Sequence, residues 1–243
     1  MKKNYRYDFY TNRHQKTVYS ANNILSIVVN TLPKVDSAVD FGCGVGTWLS
    51  ILKEKGVKEI LGIDGPWVEK SLLEIPQQSF HRVDLEDEIK LNRRYDLAIS
   101  LEVAEHLRPE AAKTFVESLV NSSDFILFSA AIPFQGGSNH INEQWPNYWV
   151  TLFNERGYAV LDFIRREIWD EEKIPTWYRQ NTLMFVKQER VKELKIPSFD
   201  IYGQYSPIAL VHPNAYLSMI KQMSSVKESW KLFRRAVKKW VKQ

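Results

Sequence analysis

A chain of 243 residues is long enough for one generous α/β core with an appendage. Hydrophobic residues at 44% and charged residues at 26% are an ordinary globular balance, which excludes collagen-like, disordered and disulfide-scaffold classes. The net charge of +4 is uneven: residues 219–243 hold eight Lys or Arg against the single acid Glu228, while the rest is mildly acidic, so no nucleic-acid groove is expected in the main body.

In chain order, the polar start Met1-Lys2-Lys3-Asn4 offers no apolar signal core, and no apolar run reaches the roughly 18 residues of a membrane span. A cytoplasmic protein is expected. His14 to Leu32 reads as a helix placed to cover the carboxyl edge of the sheet, where a ligand is expected. Val35 to Phe41 is a short strand containing Asp40; the glycine loop Gly42-Cys43-Gly44-Val45-Gly46 and a helix over Thr47 to Lys55 follow. Gly56 stops that helix, and Val57 to Asp64 gives a second strand ending in a carboxylate. Pro66 opens a helix to Glu74, and Ser79 to Asp84 alternates as a third strand with a third terminal carboxylate.

Tyr95 to Leu101 is a buried fourth strand, Pro109 opens an amphipathic helix with Ala112, Phe115, Val116 and Leu119, and Asp124 to Ala130 is a fifth strand. A polar loop runs from Ile132 to Gln144. Pro146 to Arg156 is a helix closed by Gly157, Tyr158 to Ile164 a sixth strand and Asn181 to Lys187 a seventh. Pro197, Pro207 and Pro213 punctuate a linker before a last helix. The alternation predicts a doubly wound, Rossmann-like, mostly parallel seven-stranded sheet with helices on both faces. The expected divisions are an N-terminal helical cover over 1–33, the α/β domain over 34–188, and a linker with a basic helix over 189–243.

The lone Cys43 makes no internal disulfide and no thiolate cluster for a structural zinc site. Glycines after the first strand let a ligand approach the backbone, and the next helix offers its N-terminal amides. A dinucleotide site would read Gly-x-Gly-x-x-Gly, but here the third glycine comes one residue early, which disfavours a nicotinamide-dependent oxidoreductase. The segment Asp40-Phe41-Gly42-Cys43-Gly44-Val45-Gly46 resembles the first motif of class I S-adenosylmethionine-dependent methyltransferases, and the resemblance extends over roughly Leu25 to Lys187.

That resemblance implies S-adenosylmethionine as cofactor. It sets Asp40 and the loop of Gly42, Cys43, Gly44 and Gly46 beside the methionine portion, and Asp64 with Gly65 at the ribose hydroxyls. Asp84 and Leu85 fall at the adenine. Ser100-Leu101-Glu102-Val103-Ala104-Glu105-His106 looks like the segment that meets the methionine end, with Leu101, Glu102, Val103 and His106 close to the cofactor. Trp48 and Trp67 either flank it or pack in the core.

Methyl transfer from a sulfonium needs alignment and exclusion of water, and no metal is required by that scheme. A sugar hydroxyl needs a positioned general base. His140 in the loop after the fifth strand is the leading base, Glu143 its orienter, and His106 a further catalytic candidate. Asn142, Gln144, Tyr148, Trp149, Trp177, Tyr178 and Asn181 would give an amphipathic mouth suited to a small-molecule or glycan acceptor. The expectation is O-methylation; an N-methyltransferase acting on a small amine and a non-catalytic cofactor-binding scaffold are the alternatives. The C-terminal helix, with apolar residues at Ile220, Met223, Val226, Trp230, Phe233, Val237 and Trp240 and basic residues between, docks on the body or a partner subunit, or adsorbs to the inner membrane surface.

Overall fold

Short apolar runs flanked by turn formers settle as strands when both their faces can be covered. The computed structural model describes residues 7–195, 208–224 and 226–240; Pro197 and Pro207 of the expected linker lie outside these residues. β1 (Ser37–Phe41), β2 (Glu59–Asp64), β3 (Phe80–Arg82), β4 (Leu97–Leu101), β5 (Phe125–Ser129), β6 (Tyr158–Leu161) and β7 (Leu183–Lys187) form one sheet in the order β3-β2-β1-β4-β5-β7-β6. Pairing is parallel from β3 to β5 and antiparallel where β7 enters between β5 and β6. Every residue of β1, β4 and β5 is buried, as strands covered on two faces require.

Alternate side chains sort into two cores. On one face α1 (Tyr7–Thr31), α2 (Thr47–Glu54) and α5 (Phe163–Ile168) pack Ile24, Leu25, Leu49 and Ile164 against Ala38, Met184 and Val186. On the other, α3 (Ala112–Ser122) and α4 (Pro146–Asn154) pack Phe115, Leu119 and Phe153 against Val39, Phe128 and Phe185. Burying each large aliphatic or aromatic group contributes roughly 1.5–3 kcal/mol before entropy is charged. The strand order reverses between β1 and β4, which places a crevice at their carboxyl ends.

Four expectations are corrected. Pro66–Glu74 is a turn with one 3₁₀ segment, Lys70–Leu72, and no α-helix; the Glu74 amide donates to Val45 O at 2.8 Å, so the segment is pinned to the glycine loop. The sixth strand stops at Leu161, because Asp162 pairs with buried Arg165 three residues on, a spacing that needs a helical turn. Asn181 ends the helix α6 (Thr176–Asn181), and its strand starts at Leu183. α1 lies along α2 on the sheet face, and among its described residues only Lys16 and Thr17 line the cleft at the carboxyl edge. Toward the C-terminus the described residues form α7 (Pro213–Ser224) and α8 (Val226–Trp240).

The chain that resumes at Ile208 is tied to the body at Ile208 and again at His212. Arg165 is fully buried; its Nε donates to Asp162 Oδ1 at 2.6 Å and its Nη1 to Gln180 O and Ile208 O at 3.0 and 2.9 Å. The His212 amide donates to Gln180 Oε1 at 2.9 Å, which seats the start of α7 beside the crevice.

Candidate active site

The glycine loop is fixed by its neighbours. The Gly42 and Cys43 amides both donate to Ile63 O, at 2.7 and 3.2 Å, folding the loop over the end of β2. Gly42 has φ 87°, and a Cβ there would stand 2.4 Å from a Val103 methyl, so this position admits no side chain. Gly44 has φ 56° with nothing within 4 Å of a would-be Cβ, which leaves an open cradle at the loop's crest. Gly46 is the N-cap of α2, and Cys43 is buried with its thiol pushed up by burial and then by the charges of Asp40 and Asp64.

Asp64 is buried at the end of β2; its Oδ2 accepts from the Gly44 amide at 2.7 Å and its Oδ1 from the Gly65 amide at 2.6 Å. Each oxygen keeps acceptor capacity for a ligand donor. Asp40 is also buried, and burial first, then the charge of Asp64, raises its carboxyl well above the ordinary range. A cationic ligand group beside it would reverse that shift. The open cradle, an acceptor carboxylate and a carboxyl lacking a cation together fit the amino-acid and sugar portions of S-adenosylmethionine. Asp84 is exposed, and its Oδ1 accepts from the Glu86 amide at 3.0 Å, forming a local turn, while Leu85 is buried in the core.

After β4 the backbone turns at Glu102, a non-glycine residue at φ 56°. Its amide donates to Ser129 O and Ser129 Oγ, both at 3.0 Å. The carboxylate is clamped from two sides: Asn181 Nδ2 donates to Oε1 at 3.0 Å and Gln135 Nε2 to Oε2 at 2.9 Å. Burial raises its carboxyl, and these hydrogen bonds oppose the rise.

Glu105 follows one turn later and is fully buried, with no hydrogen-bond partner on either oxygen. Burial, then the charge of Glu102, pushes it up to about 9; the amides of Glu105 and Ala131 oppose this from nearby without forming a hydrogen bond. The Ile141 and Asn142 amides both donate to Glu105 O, at 2.9 and 3.0 Å, drawing the post-β5 loop down onto this residue. His140 thereby stands with Nδ1 2.9 Å from Glu143 Oε1 and Nε2 4.0 Å from Glu105 Oε1. Glu143 is itself fixed by the Phe134 and Gly136 amides, at 2.9 and 3.0 Å. The His106 ring meets that of His140 edge to face at 4.8 Å.

A cleft of about 1450 Å³ opens above these groups, lined by Leu101, Glu102, Glu105, His106, His140, Trp145, Trp177, Tyr178, Gln180 and residues of α7 including Tyr216. It exceeds the roughly 300–1,000 Å³ of a single small-ligand pocket. Of the residues singled out from sequence, Leu101, Glu102, His106 and His140 share this wall. Asp40, Asp64, Gly65, Asp84, Val103, Glu143 and the glycine loop do not line it. Of the expected mouth, Trp177 and Tyr178 are on the wall, Asn181 holds Glu102, and Asn142 is buried. Trp149 is a core residue 5.3 Å from Phe128. Trp48 packs on Tyr178, and Trp67 is exposed over Gly65.

Glu105, Gln135 and Gln180 lie in segments expected near the site without being singled out as site residues, and α7 was not expected there. Glu105 was visible as the second acid of a pair spaced by three; the others come from far along the chain and left no local pattern.

The family described as a methyltransferase domain matches residues 11–162. Solved structures of similar fold include DesVI from Streptomyces venezuelae, 14% identical over 73% of this chain and 94% of that one, with a TM-score of 0.55. Magnesium protoporphyrin IX methyltransferase from Synechocystis PCC 6803 with bound SAH is 18% identical over 77% and 90%, with a TM-score of 0.51. An O-methyltransferase family protein from Burkholderia thailandensis is 12% identical over 74% and 57%, with a TM-score of 0.51. No curated protein matches the chain.

Proposed function

Because the chain belongs to the methyltransferase-domain family and has the class I fold, we propose that it transfers a methyl group from S-adenosylmethionine to a hydroxyl of a small molecule or sugar held in the cleft. The cofactor, when bound, supplies a methyl on a sulfonium that a nucleophile displaces in line. Asp64 accepts from the ribose hydroxyls, the open side of Gly44 admits the ligand to the backbone, and Asp40 answers the ammonium charge. Asp84 and Leu85 mark the adenine end.

The observation that carries the hydroxyl reading is the His140–Glu143 pair. A carboxylate that fixes Nδ1 leaves Nε2 to present its lone pair toward the cleft. Alcohols ionise far above neutral pH and need such assistance, whereas a neutral amine does not. Aromatic faces at Trp145, Trp177 and Tyr216 alongside Gln135 and Gln180 suit a molecule with both hydroxyls and apolar C–H faces.

His140→Ala is expected to lower turnover at least about 100-fold while cofactor affinity, read by calorimetry, stays within about twofold. Labelled methyl is expected on oxygen. Near-normal turnover, or label recovered on nitrogen, favours the amine reading, and binding without transfer to any acceptor favours the scaffold.

The second part of the reading concerns α8. Val226, Trp230, Phe233 and Val237 are exposed along one stripe of this helix, which also carries Lys231 and Arg234. No helix among the described residues is long and apolar enough to cross a membrane. An apolar stripe beside basic residues is the pattern that lies in an anionic lipid surface, and it supports peripheral attachment there.

A further inference from the structure

We propose that Glu105, His106 and His140 hold a divalent first-row transition-metal ion on the cleft wall, with open positions facing the acceptor hydroxyl. The ion's role rests on the methyl-transfer reading above; its binding site does not.

Glu105 is wholly withdrawn from water with both oxygens unpartnered, an arrangement that is costly unless a cation or donor meets it. The ligand atoms of the three residues lie within 4.8 Å of one another. Both imidazoles are held at Nδ1, and His140 turns its Nε2 toward Glu105 Oε1, 4.0 Å away. His140 Nδ1 meets Glu143 Oε1 at 2.9 Å, and His106 Nδ1 lies 3.3 Å from Asn139 O. A carboxylate or backbone carbonyl on the far nitrogen is the usual outer support of a metal-binding histidine, because it fixes the tautomer that leaves Nε2 free to ligate.

One carboxylate and two imidazoles select Mn²⁺, Fe²⁺, Co²⁺ or Zn²⁺ over the all-oxygen preference of Mg²⁺ and Ca²⁺. Ligand distances of about 2.0–2.2 Å draw the three atoms to roughly 3–3.5 Å apart, so the cluster closes by about 1 Å on binding. His106 is the exposed member of the cluster, at the rim of the cleft. Three protein ligands leave positions for the acceptor.

Transfer from a sulfonium does not itself need a metal, but an alcohol oxygen does need to lose its proton. With the ion bound, the His140 Nε2 lone pair is spent as a ligand and the ion replaces that residue's role as base: placed against the ion, the hydroxyl releases its proton to solvent. Its electron pair then forms the carbon–oxygen bond as the carbon–sulfur bond breaks and leaves its pair on sulfur. The ion's oxidation state does not change.

The test uses full-length protein freed of metal with a chelator, titrated with Mn²⁺, Co²⁺ and Zn²⁺ in the absence of cofactor and acceptor. One ion per chain is expected, with visible Co²⁺ bands bearing nitrogen-ligand character. Glu105→Gln, His106→Ala and His140→Ala are each expected to weaken binding at least tenfold, with thermal melts confirming that they fold. No stoichiometric binding, or binding unchanged in all three variants, overturns the site. Turnover lost with chelator and restored by Mn²⁺ supports the role, and turnover indifferent to chelation of a proven site overturns it. Tight binding at these residues without methyl transfer to any acceptor upholds the site and defeats the methyl-transfer reading instead.

Discussion

At Gly42 a left-handed φ and a Val103 methyl 2.4 Å from any Cβ act on the same atom, so Gly42→Ala is expected to destabilise the fold by roughly 2–4 kcal/mol. Gly44 carries only the conformational penalty, about 1–2 kcal/mol, because nothing stands within 4 Å of its Cβ position. Gly44→Ala should therefore fold and yet lose cofactor affinity; denaturant melts paired with calorimetry separate the two effects. Asp40 gives a pH prediction. Its folded carboxyl titrates well above 3.8 through burial and Asp64, so its contribution to stability is complete below the unfolded value and is lost as pH rises through the folded one. Asp40→Asn should flatten this decline in urea melts taken between pH 4 and 8, while weakening cofactor binding about tenfold or more.

Among the elements, β1, β2, β4 and β5 were legible because a strand buried on both faces must be a short apolar run, and so is its register against the glycine loop. Pro66–Glu74 has apolar residues at helical spacing, yet the amide of Glu74 is claimed by Val45 O across the loop. Such a long-range tie leaves no trace in local periodicity. The end of β6 was misread for a related reason: Asp162 and Arg165 decide it as a buried pair, and sequence shows two ordinary charged residues. For α8, a chain ending at residue 225 should no longer sediment with anionic vesicles, and the intact chain should detach as salt rises. The melt of the sheet and cofactor affinity should be unchanged, since among the described residues α8 makes its main contacts with α7.

At the scale of the molecule, Arg165 of α5 ties Asp162 after β6, Gln180 of α6 and Ile208 of the returning chain together through buried hydrogen bonds. Arg165→Met leaves Asp162 buried and unpaired, and should cost about 3–5 kcal/mol; adding Asp162→Leu should recover much of it in a double-mutant cycle. The residues proposed to hold the cofactor stand out in the chain because Asp40, the glycine loop and Asp64 sit at or just past the ends of β1 and β2, whereas Asp84 lies two residues beyond β3. Of the cleft wall, His140, Trp177 and Tyr178 were legible too, whereas Gln135, Gln180 and Tyr216 were not, because the post-β5 loop, α6 and α7 bring them to Glu102 or the cleft only in the fold.

That division runs along the chain as well as through space. The matched family segment ends at residue 162, before α6 and α7 supply their share of the cleft wall. Proteins related through the first part inherit a way of holding the methyl donor without inheriting a preference for what receives it. Grafting the stretch from Ile174 to Met219 onto a sister scaffold should exchange the menu of recipients and leave the donor untouched.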